Sequence, residues 1–468
     1  MVFSSTAFLF LFLPLMLAAY YNPFCKSRAA RNRVLFGGSV LFYACGEPIF
    51  VLLMLLSICV TWKFGLVLQA AAPTQKKKIL AGGITYNIVV LFVFKYLGFV
   101  ADQLGLLLHT EIPMIHLVLP VGISFYTFQL MSYLFDIYYG KARAQKSLLN
   151  VGLYISMFPA LIAGPIIRYD QIEKEIMDRR ENVRDFIDGM QRFIYGLAKK
   201  VLIANYMAQI ADSIFPSDGG VFTGITVATA WLGAVAYTLQ IYFDFSGYSD
   251  MAIGLGRMFG FHFPENFRYP YAANSVTDFW RRWHISLSSW FRDYVYIPLG
   301  GNRVTRSRWI GNLFIVWALT GIWHGANWTF ILWGLFYFVL LLFEKLTGMV
   351  QKMGPFSHVY TLIMVTMAWV MFRSYDCTAG FQFIGAMWGI GTSGWIDGVF
   401  WYYFDNIKII LFAAVILSVP SYEWIRNKWK DVEIFTQFVE PVYVLGLFLL
   451  LVVAVTGSSY NPFIYFNF

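Results

Sequence analysis

The stretch that decides the fold is VLFGGSVLFYACGEPIFVLLMLLSICVTWKFGLVLQAAA, residues 34–72. It is apolar along most of its length and is interrupted by Gly46-Glu47-Pro48. Basic residues stand at both flanks, at Arg33 and at Lys76–Lys78. Lys and Arg concentrate in the cytoplasmic loops of membrane proteins, so both flanks are expected on one side of a membrane. The stretch must then cross and return, which predicts two short membrane helices with a turn at Gly46–Pro48.

The composition of the whole chain is that of an integral membrane protein. Of its 468 residues, 59% are hydrophobic and 13% are charged, whereas a soluble domain carries about 25% charged residues. Basic cytoplasmic loops account for the net charge of +9. No basic patch interleaved with aromatic residues indicates nucleic-acid binding. We therefore expect membrane lipids, and not nucleic acid, as the surroundings of this chain.

Further apolar segments predict an all-α polytopic bundle of about 10–12 membrane segments, each of roughly 20 residues. The N-terminal run to Ala19 is read as an uncleaved first helix, because basic residues follow it and do not precede it. The segment 148–167 contains Pro159, Gly164 and Pro165 and has charged residues on both sides, which predicts a re-entrant segment or a tight hairpin. The other segments are 79–100, 112–139, 220–245, 359–372, 409–420 and 442–455, together with the amphipathic segment 186–215 and with 310–346, which holds two closely spaced apolar pieces.

Two carboxylates lie at the end of an apolar span, in Tyr242-Phe-Asp-Phe-Ser-Gly-Tyr-Ser-Asp250. A carboxylate at membrane depth costs about 3 kcal/mol, so Asp244 and Asp250 are expected to face a polar cavity or a cation. A structural ion pair is the favoured interpretation of each. Gly256 and Gly260 follow at four-residue spacing. No βαβ pattern precedes them, so they predict a close helix-packing face and not a dinucleotide site.

The next segment, 274–294, predicts one amphipathic helix with Ser275 as its N-cap and Asp278 three residues later. Its wheel has an apolar face and a basic face. One interpretation is a helix on the inner membrane surface. The other is the mouth of a cytoplasmic site for an anionic substrate such as coenzyme A, because arginine binds phosphate in bidentate fashion. The basic face comprises Arg281, His284, Ser288 and Arg292, and Arg303, Arg306 and Arg308 follow.

His324 lies in the apolar segment Leu319-Thr-Gly-Ile-Trp-His-Gly-Ala-Asn-Trp-Thr-Phe330. An ionisable residue at membrane depth is a functional hypothesis by default. Burial favours the neutral imidazole, which is the state a general base needs. Gly321 and Gly325 would let a substrate approach the backbone. The alternative is a histidine satisfied by one helix–helix hydrogen bond.

No resident metal or permanently bound cofactor is expected. The four cysteines form no CxxC pair, and the six histidines form no HExxH or HxxxH pattern. No GxxxxGK[ST] is present, so the sequence does not support the use of ATP or GTP.

Several blocks together resemble the membrane-bound O-acyltransferase (MBOAT) family, and in particular its bacterial branch of alginate O-acetyltransferase membrane proteins. The resemblance extends over nearly the whole chain, with the signature region at 239–338 in one domain of residues 1–468. The blocks are 242–250, Phe279-Trp-Arg-Arg-Trp-His-Ile-Ser-Leu-Ser288, 292–303, Gly321-Ile-Trp-His-Gly325, Ala163-Gly-Pro165, the opening Met1–Ser5 and the ending Asn461–Phe466.

The resemblance implies a helical bundle around a cytoplasmic funnel, in the inner membrane of a bacterium. It implies acetyl-CoA as donor substrate and an exported polysaccharide as the final acceptor, reached through a periplasmic partner of the SGNH-hydrolase type. It also implies His324 as the signature histidine and His284 as the second one. The chain is somewhat short for an alginate member, which leaves cellulose or another glycan open. The block Ile297-Pro-Leu-Gly-Gly-Asn-Arg303 makes the teichoic-acid D-alanylating branch less favoured.

The resulting hypothesis is an acetyl-CoA site guarded by Arg281, His284, Arg292 and Arg303. His324 lies deeper and either acts as general base or carries the acetyl group. His324 and His284 are thus the predicted catalytic residues, and Arg281, Arg292 and Arg303 are predicted to bind the donor. The rival classes are a transporter of an acyl carrier and a scaffold of the export machinery. The signature block occurs only once, which counts against a transporter built from repeats.

Overall fold

The structure, a computed structural model, describes residues 2–110, 112, 117–217, 224–429, 431–457 and 460–462. Every regular element in these ranges is helical, as predicted. Parts of the predicted segments 112–139 and 220–245, Met1 and the last residues of the C-terminal block lie outside the described residues. The α-helices are α1 (Leu13–Tyr20), α2 (Arg28–Ala44), α3 (Phe50–Ala70), α4 (Pro73–Lys95), α5 (Leu97–Leu108), α6 (Ile123–Tyr138), α7 (Leu148–Ser156), α8 (Phe158–Leu161), α9 (Tyr169–Met177), α10 (Val183–Ala198), α11 (Asn205–Ile214), α12 (Val227–Met258), α13 (Val276–Arg282), α14 (Ile285–Phe291), α15 (Arg306–His324), α16 (Trp328–Thr347), α17 (Met349–Lys352), α18 (Phe356–Arg373), α19 (Cys377–Met387), α20 (Gly398–Leu417), α21 (Ser421–Trp429) and α22 (Glu440–Gly457).

Shorter helical turns of other pitch complete the secondary structure. The chain forms a 3₁₀ turn at Pro270–Ala272. The π-helical turns are Phe8–Phe12, Lys199–Ala204, Arg292–Tyr296 and Phe435–Val439. The π-helical turn at Arg292–Tyr296 and the turns up to Asn302 follow α14.

Six helices are long and apolar enough to cross a membrane, among the residues that the structure covers. Helices α20 and α22 lie in the least buried of these spans: only 17% of each apolar window is buried within the protein. Apolar side chains that the protein does not cover are stable where lipid covers them. The chain is therefore a multi-pass membrane protein. The six spans are Phe50–Ala70, Pro73–Lys95, Trp328–Thr347, Phe356–Arg373, Gly398–Leu417 and Phe435–Gly457.

The chain divides into two compact units, which are described separately. The first unit comprises Met1–Phe193 and Ser249–Pro264. In it, α2 and α3 form the predicted hairpin, and α6 packs on both α3 and α4. The predicted interruption of segment 148–167 is also confirmed: α7 ends at Ser156, and α8 begins at Phe158 after a non-helical Met157. The prediction of one family domain over 1–468 stays a prediction.

Glycine packing in the first unit differs from the prediction at Gly260. This residue follows the end of α12 with φ +80°, so it is not on a helix face, and the prediction of a Gly256–Gly260 packing face is wrong. The close helix approach is at Gly254, where a Cβ atom would lie 2.5 Å from the carbonyl oxygen of Gly189 on α10. Four-residue spacing near a helix end does not reveal which glycine still belongs to the helix.

The second unit comprises Ile194–Tyr248 and Glu265–Phe468. Its central feature is the hairpin of α15 and α16, with α18 packed on α16 and α13 packed on both α16 and α18. Gly321 and Gly334 let the backbones of the hairpin approach, since added Cβ atoms would lie 2.6 Å and 2.5 Å from carbonyl oxygens of the opposite helix. The aromatic side chains of α13, α15, α16 and α18 fill the space between these helices, and the site is built there.

Candidate functional site

The N-terminus of α13 is held by two residues far apart in sequence. Ser275 Oγ accepts a hydrogen bond from Asp278 N at 2.9 Å, which confirms the predicted N-cap. The buried Glu344 of α16 accepts bonds from Val276 N at 2.7 Å, Thr277 N at 3.0 Å and Thr277 Oγ at 2.9 Å. The sequence analysis missed Glu344. The only signal for it is a charged pair, Glu344-Lys345, in the last turn of an apolar helix.

The predicted continuous amphipathic helix over 274–294 is wrong. Helix α13 ends at Arg282, Trp283 is extended, and His284 adopts a left-handed backbone with φ 44° and ψ 53° before α14 begins at Ile285. A left-handed non-glycine residue carries strain and persists only where its surroundings hold it. His284 is 0% exposed, so it does not share the solvent-facing stripe of Arg281 and Arg292. Burial of one polar side chain in a hydrogen-bonded pocket has overridden the helical periodicity.

His284 lies in a pocket with one defined polar partner. Its Nδ1 atom is 3.1 Å from Asn266 Oδ1. The edge of its ring meets Phe245 at a centroid distance of 4.7 Å and an interplanar angle of 88°. Burial lowers the pKa of His284 to about 3, so the imidazole is neutral at neutral pH. Its Nε2 atom has no hydrogen-bond partner within the described ranges.

His324 is the last residue of α15 and lies among aromatic rings from three helices. It is 5% exposed. Trp323, Trp333 of α16 and Phe372 of α18 surround it at centroid distances of 4.9, 4.9 and 5.1 Å. The near-perpendicular angles of these contacts are the geometry that aromatic pairs prefer. The wall of rings excludes water and fixes the plane of the imidazole.

Trp323 joins the two histidines. Its ring centroid lies 4.9 Å from that of His324 and 6.1 Å from that of His284. The structure thus brings the two predicted catalytic residues into one buried aromatic pocket, although they are 40 positions apart in sequence. An imidazole shielded from water is able, in its neutral form, to take a proton or an acyl group. The catalytic roles stay predictions.

The two glycines beside His324 do not serve the purpose predicted for them. Gly321 faces the backbone of α16 as described above. A Cβ atom at Gly325 would lie 2.2 Å from the ring of Phe330. Phe330 and its backbone therefore occupy the space that the sequence analysis left for a substrate, and that prediction is wrong.

The three predicted donor-binding arginines do not meet in one place. Arg281 lines a cleft of about 610 Å³ together with Lys345 and hydroxyl and amide side chains. A second cleft, of about 500 Å³, is lined by Arg306 and again by Lys345. Arg292 is exposed and pairs with Asp293 at 2.7 Å, and Arg303 is exposed in the turn before α15. Neither of them is among the residues that line the two clefts.

Of the three predicted arginines, Arg281 alone is in the lining of the larger cleft, and Lys345 shares that lining. The other residues that line the larger cleft are Asn274, Ser275, Thr277, Glu344, Gly348, Val350, Gln351, Gly354 and Ser357. The lining thus has two cations, one carboxylate that accepts bonds from the start of α13, and uncharged polar groups. Guanidinium and ammonium groups are suited to phosphate oxygens. Lys345 is missing from the sequence hypothesis, because it reads as an ordinary basic end of a membrane helix.

Both carboxylates of the segment 242–250 are in ion pairs, as the sequence analysis favoured. In the second unit, Asp244 lies 2.7 Å from Lys200 Nζ, with both side chains buried. In the first unit, Asp250 lies 2.9 Å from Arg192. A buried carboxylate is retained where a cation compensates its lost hydration. These residues thus have a structural role in pairing the helices.

A helical membrane bundle with two buried histidines among aromatic rings is consistent with a membrane-bound acyltransferase. The model of the MBOAT, membrane-bound O-acyltransferase family, matches residues 142–384. The chain is 36% identical to the probable alginate O-acetylase AlgI of Pseudomonas putida, with all of both chains covered. The chain therefore belongs to the MBOAT family and is an O-acyltransferase.

Two further relatives show how far the similarity extends. The probable alginate O-acetylase AlgI of Pseudomonas aeruginosa is 41% identical, over 84% of this chain and 76% of the relative. The peptidoglycan O-acetyltransferase of Helicobacter pylori is 33% identical, over 83% and 80%. Relatives of this family thus include proteins named for different polymers.

Proposed function

We propose that this chain takes acetyl groups from cytoplasmic acetyl-CoA and passes them across a bacterial inner membrane for O-acetylation of an exported polysaccharide. The observation that carries the proposal is the meeting of His284 and His324 at Trp323, in a member of an acyltransferase family. The relatives named as alginate and peptidoglycan O-acetyltransferases support acetyl as the group and a polysaccharide as its destination. An enzyme with this pocket needs an acyl donor and an acceptor hydroxyl.

The pocket supports two chemical routes. In the first, an imidazole takes the proton of the acceptor hydroxyl while that oxygen attacks the thioester carbonyl carbon; the C–S bond breaks, and the thiolate of coenzyme A receives the proton. In the second, the unprotonated nitrogen of His324 attacks the carbonyl, the C–S bond breaks, and the thiolate takes the proton of the other ring nitrogen; the acceptor oxygen then attacks the acetyl carbon, the C–N bond breaks, and the imidazole takes the hydroxyl proton. Both routes need a neutral imidazole in a pocket without water, because water would hydrolyse the activated acetyl group.

The donor is proposed to enter by the cleft that contains Arg281 and Lys345. Coenzyme A carries a diphosphate and a further phosphate, and a guanidinium with an adjacent ammonium matches these groups. Because α13 carries Arg281 and leads directly into His284, phosphate binding in the cleft and the chemistry in the pocket share one short helix.

The acceptor side is proposed to involve a periplasmic acetyltransferase of the SGNH-hydrolase type, which places the acetyl group on the polymer. Alginate is the first candidate polymer, since the relatives at 36% and 41% identity are named as alginate O-acetylases. Deleting the chain and measuring ester-bound acetate on each exported polysaccharide would identify the polymer. A strain whose polysaccharides all keep their acetate would contradict this part of the proposal.

The decisive experiment compares acetyl-CoA turnover by the full chain in nanodiscs, wild type beside His324→Ala. We expect turnover to vanish in the folded variant, because the pocket then lacks its reactive imidazole. The control is His262→Ala, which removes an exposed histidine bound to Glu175 at 2.8 Å and should leave turnover unchanged.

The same variant, tested in cells by the acetylation of the polymer, separates the rival classes. A transporter of an acyl carrier, or a scaffold, would support polymer acetylation in cells with His324→Ala as well as with wild type. Undiminished turnover by His324→Ala would remove this residue from the mechanism.

A further inference from the structure

We propose that Asn266 is a positioning residue for His284: it fixes the imidazole tautomer so that Nε2 is the proton-accepting nitrogen of the pocket. The inference rests on the proposed function, in which a neutral imidazole accepts a proton during acetyl transfer. Asn266 lies 18 residues before His284, outside every sequence block that indicated the site.

The amide of Asn266 is oriented by bonds that are independent of the histidine. Its Oδ1 atom accepts a hydrogen bond from Ser286 N at 3.3 Å and one from Ser286 Oγ at 2.9 Å. A backbone N–H is only a donor, so the atom that faces it must be the amide oxygen and not the amide nitrogen. Asn266 is 1% exposed, so water does not compete for this oxygen.

The orientation of the amide decides the tautomer of the ring. Since His284 Nδ1 lies 3.1 Å from the same Oδ1 atom, it must carry a hydrogen and donate it. In the neutral imidazole, Nε2 is then the acceptor. The nitrogen that would take a proton thus faces away from Asn266, into the pocket bounded by Phe245 and Trp323.

The backbone around Asn266 also holds the unusual conformation of His284. The carbonyl oxygen of Asn266 accepts a bond from Ile285 N at 3.0 Å, and Arg268 N donates to the carbonyl oxygen of Arg282 at 2.9 Å. These bonds bracket the left-handed residue on both sides. The segment 266–268 therefore places the ring and orients it at the same time.

The groups that face His284 are neutral apart from the second histidine of the pocket. They are Phe245 of α12, Trp323 of α15, Asn266 and Ser286, with His324 beyond Trp323. Asp244, the carboxylate nearest in sequence to Phe245, is paired with Lys200. A carboxylate introduced at position 266 would therefore be a new charge beside the ring.

The test uses four variants of the full chain in nanodiscs, one of them His284→Ala, with release of the coenzyme A thiol from acetyl-CoA as readout. Asn266→Ala removes the oxygen that selects the tautomer of His284. We expect kcat to fall about 10- to 100-fold with little change in KM, the loss seen when a partner that orients a functional histidine is removed. Asn266→Asp keeps all three acceptor contacts and holds the tautomer. Asn406→Ala is the control, because it removes an exposed amide that contacts only its own helix backbone among the described bonds, and it should leave kcat unchanged.

The pH profile of Asn266→Asp is a readout that a purely structural role of Asn266 would leave unchanged. A carboxylate beside Nδ1–H stabilises the imidazolium and raises the pKa of His284, by about 1–3 on the pH scale. A base must be neutral, so the activity of this variant relative to wild type should fall as the pH is lowered from 7 to 5. At neutral pH it should recover most of the activity that Asn266→Ala loses.

The possible outcomes separate this inference from the proposed function. If His284→Ala is inactive but both Asn266 variants fold and match wild type in kcat and pH profile, the positioning role is wrong and the proposed function stands. A ratio of Asn266→Asp to wild type that is flat with pH also overturns the positioning role. If His284→Ala keeps full turnover, the role of His284 in the proposed function fails, and the role of Asn266 fails with it.

Discussion

Replacing Glu344 by alanine should destabilise the protein through the first turn of a helix 68 residues earlier. The carboxylate accepts bonds from two backbone N–H groups and one hydroxyl group at the start of α13, at distances of 2.7–3.0 Å. The first N–H groups of any helix have no partner within that helix. With alanine at position 344, the N–H groups of Val276 and Thr277 lose their acceptor.

The size of the effect follows from these contacts. A buried donor left without a partner costs about 1–3 kcal/mol, and the two N–H groups together would cost about 2–6 kcal/mol. Removing the carboxylate also removes its own burial cost, which brings the expected loss in the free energy of unfolding to about 2–4 kcal/mol. Glu344→Gln keeps one acceptor oxygen but presents its NH₂ group to the second donor. Glu344→Gln should therefore lower the free energy of unfolding by less than Glu344→Ala does.

The assay is reversible unfolding of the full chain in mixed micelles of increasing SDS fraction, followed by tryptophan fluorescence. The matched control is Glu423→Ala, which removes an exposed carboxylate on α21 and should change the free energy of unfolding by less than about 0.5 kcal/mol. Should Glu344→Ala unfold within that same margin of wild type, the helix start is held by something else, and the reasoning about this carboxylate is refuted.

Two further predictions concern helix packing and donor binding. Gly321→Ala places a Cβ atom 2.6 Å from a backbone oxygen and should lower the free energy of unfolding by about 1–3 kcal/mol in the same assay. The control is Gly311→Ala on the same helix, whose Cβ atom meets nothing within 4 Å. Equal stability of the two variants would contradict the close packing. Arg281→Ala and Lys345→Ala should each raise the KM for acetyl-CoA about 10-fold or more, because each removes the binding free energy of a charged hydrogen bond to phosphate. Arg303→Ala should leave this KM unchanged, and a KM raised only by Arg303→Ala would place the donor elsewhere.

The fold was predictable where it depends on the composition of continuous segments. The hairpin of α2 and α3 follows from one interrupted apolar stretch between two basic flanks, and the structure has its turn at residues 45–49. The pair α15 and α16 follows in the same way from the long apolar region after Arg308. Lipid imposes these features, because it requires each crossing segment to be apolar and to satisfy its own backbone.

The break between α13 and α14 was not predictable from periodicity. Residues 276–294 place their aromatic and basic side chains at helical spacing, so the pattern favours one continuous helix. What ends α13 is the tertiary contact of His284 with Asn266, together with the ring of Phe245. Neither partner lies within the segment, and a pattern within the segment contains no information about them. The same limit explains why Arg281 and Arg292 were grouped with a residue that is fully buried.

The residues that position the side chains of the site are therefore of a different type from those that indicate the site in the sequence. His324 stands out because an imidazole in an apolar segment is unusual, and a similar reason drew attention to Asp244 and Asp250. His284 stands out through its basic helix face and the family resemblance of its block. Asn266 does not stand out, because a neutral amide in a connecting loop is ordinary in any sequence. A neutral amide nevertheless suits a buried neutral imidazole, since a carboxylate in that place would favour the protonated ring. In a single sequence, an uncharged partner of this kind becomes visible only once the fold has placed it.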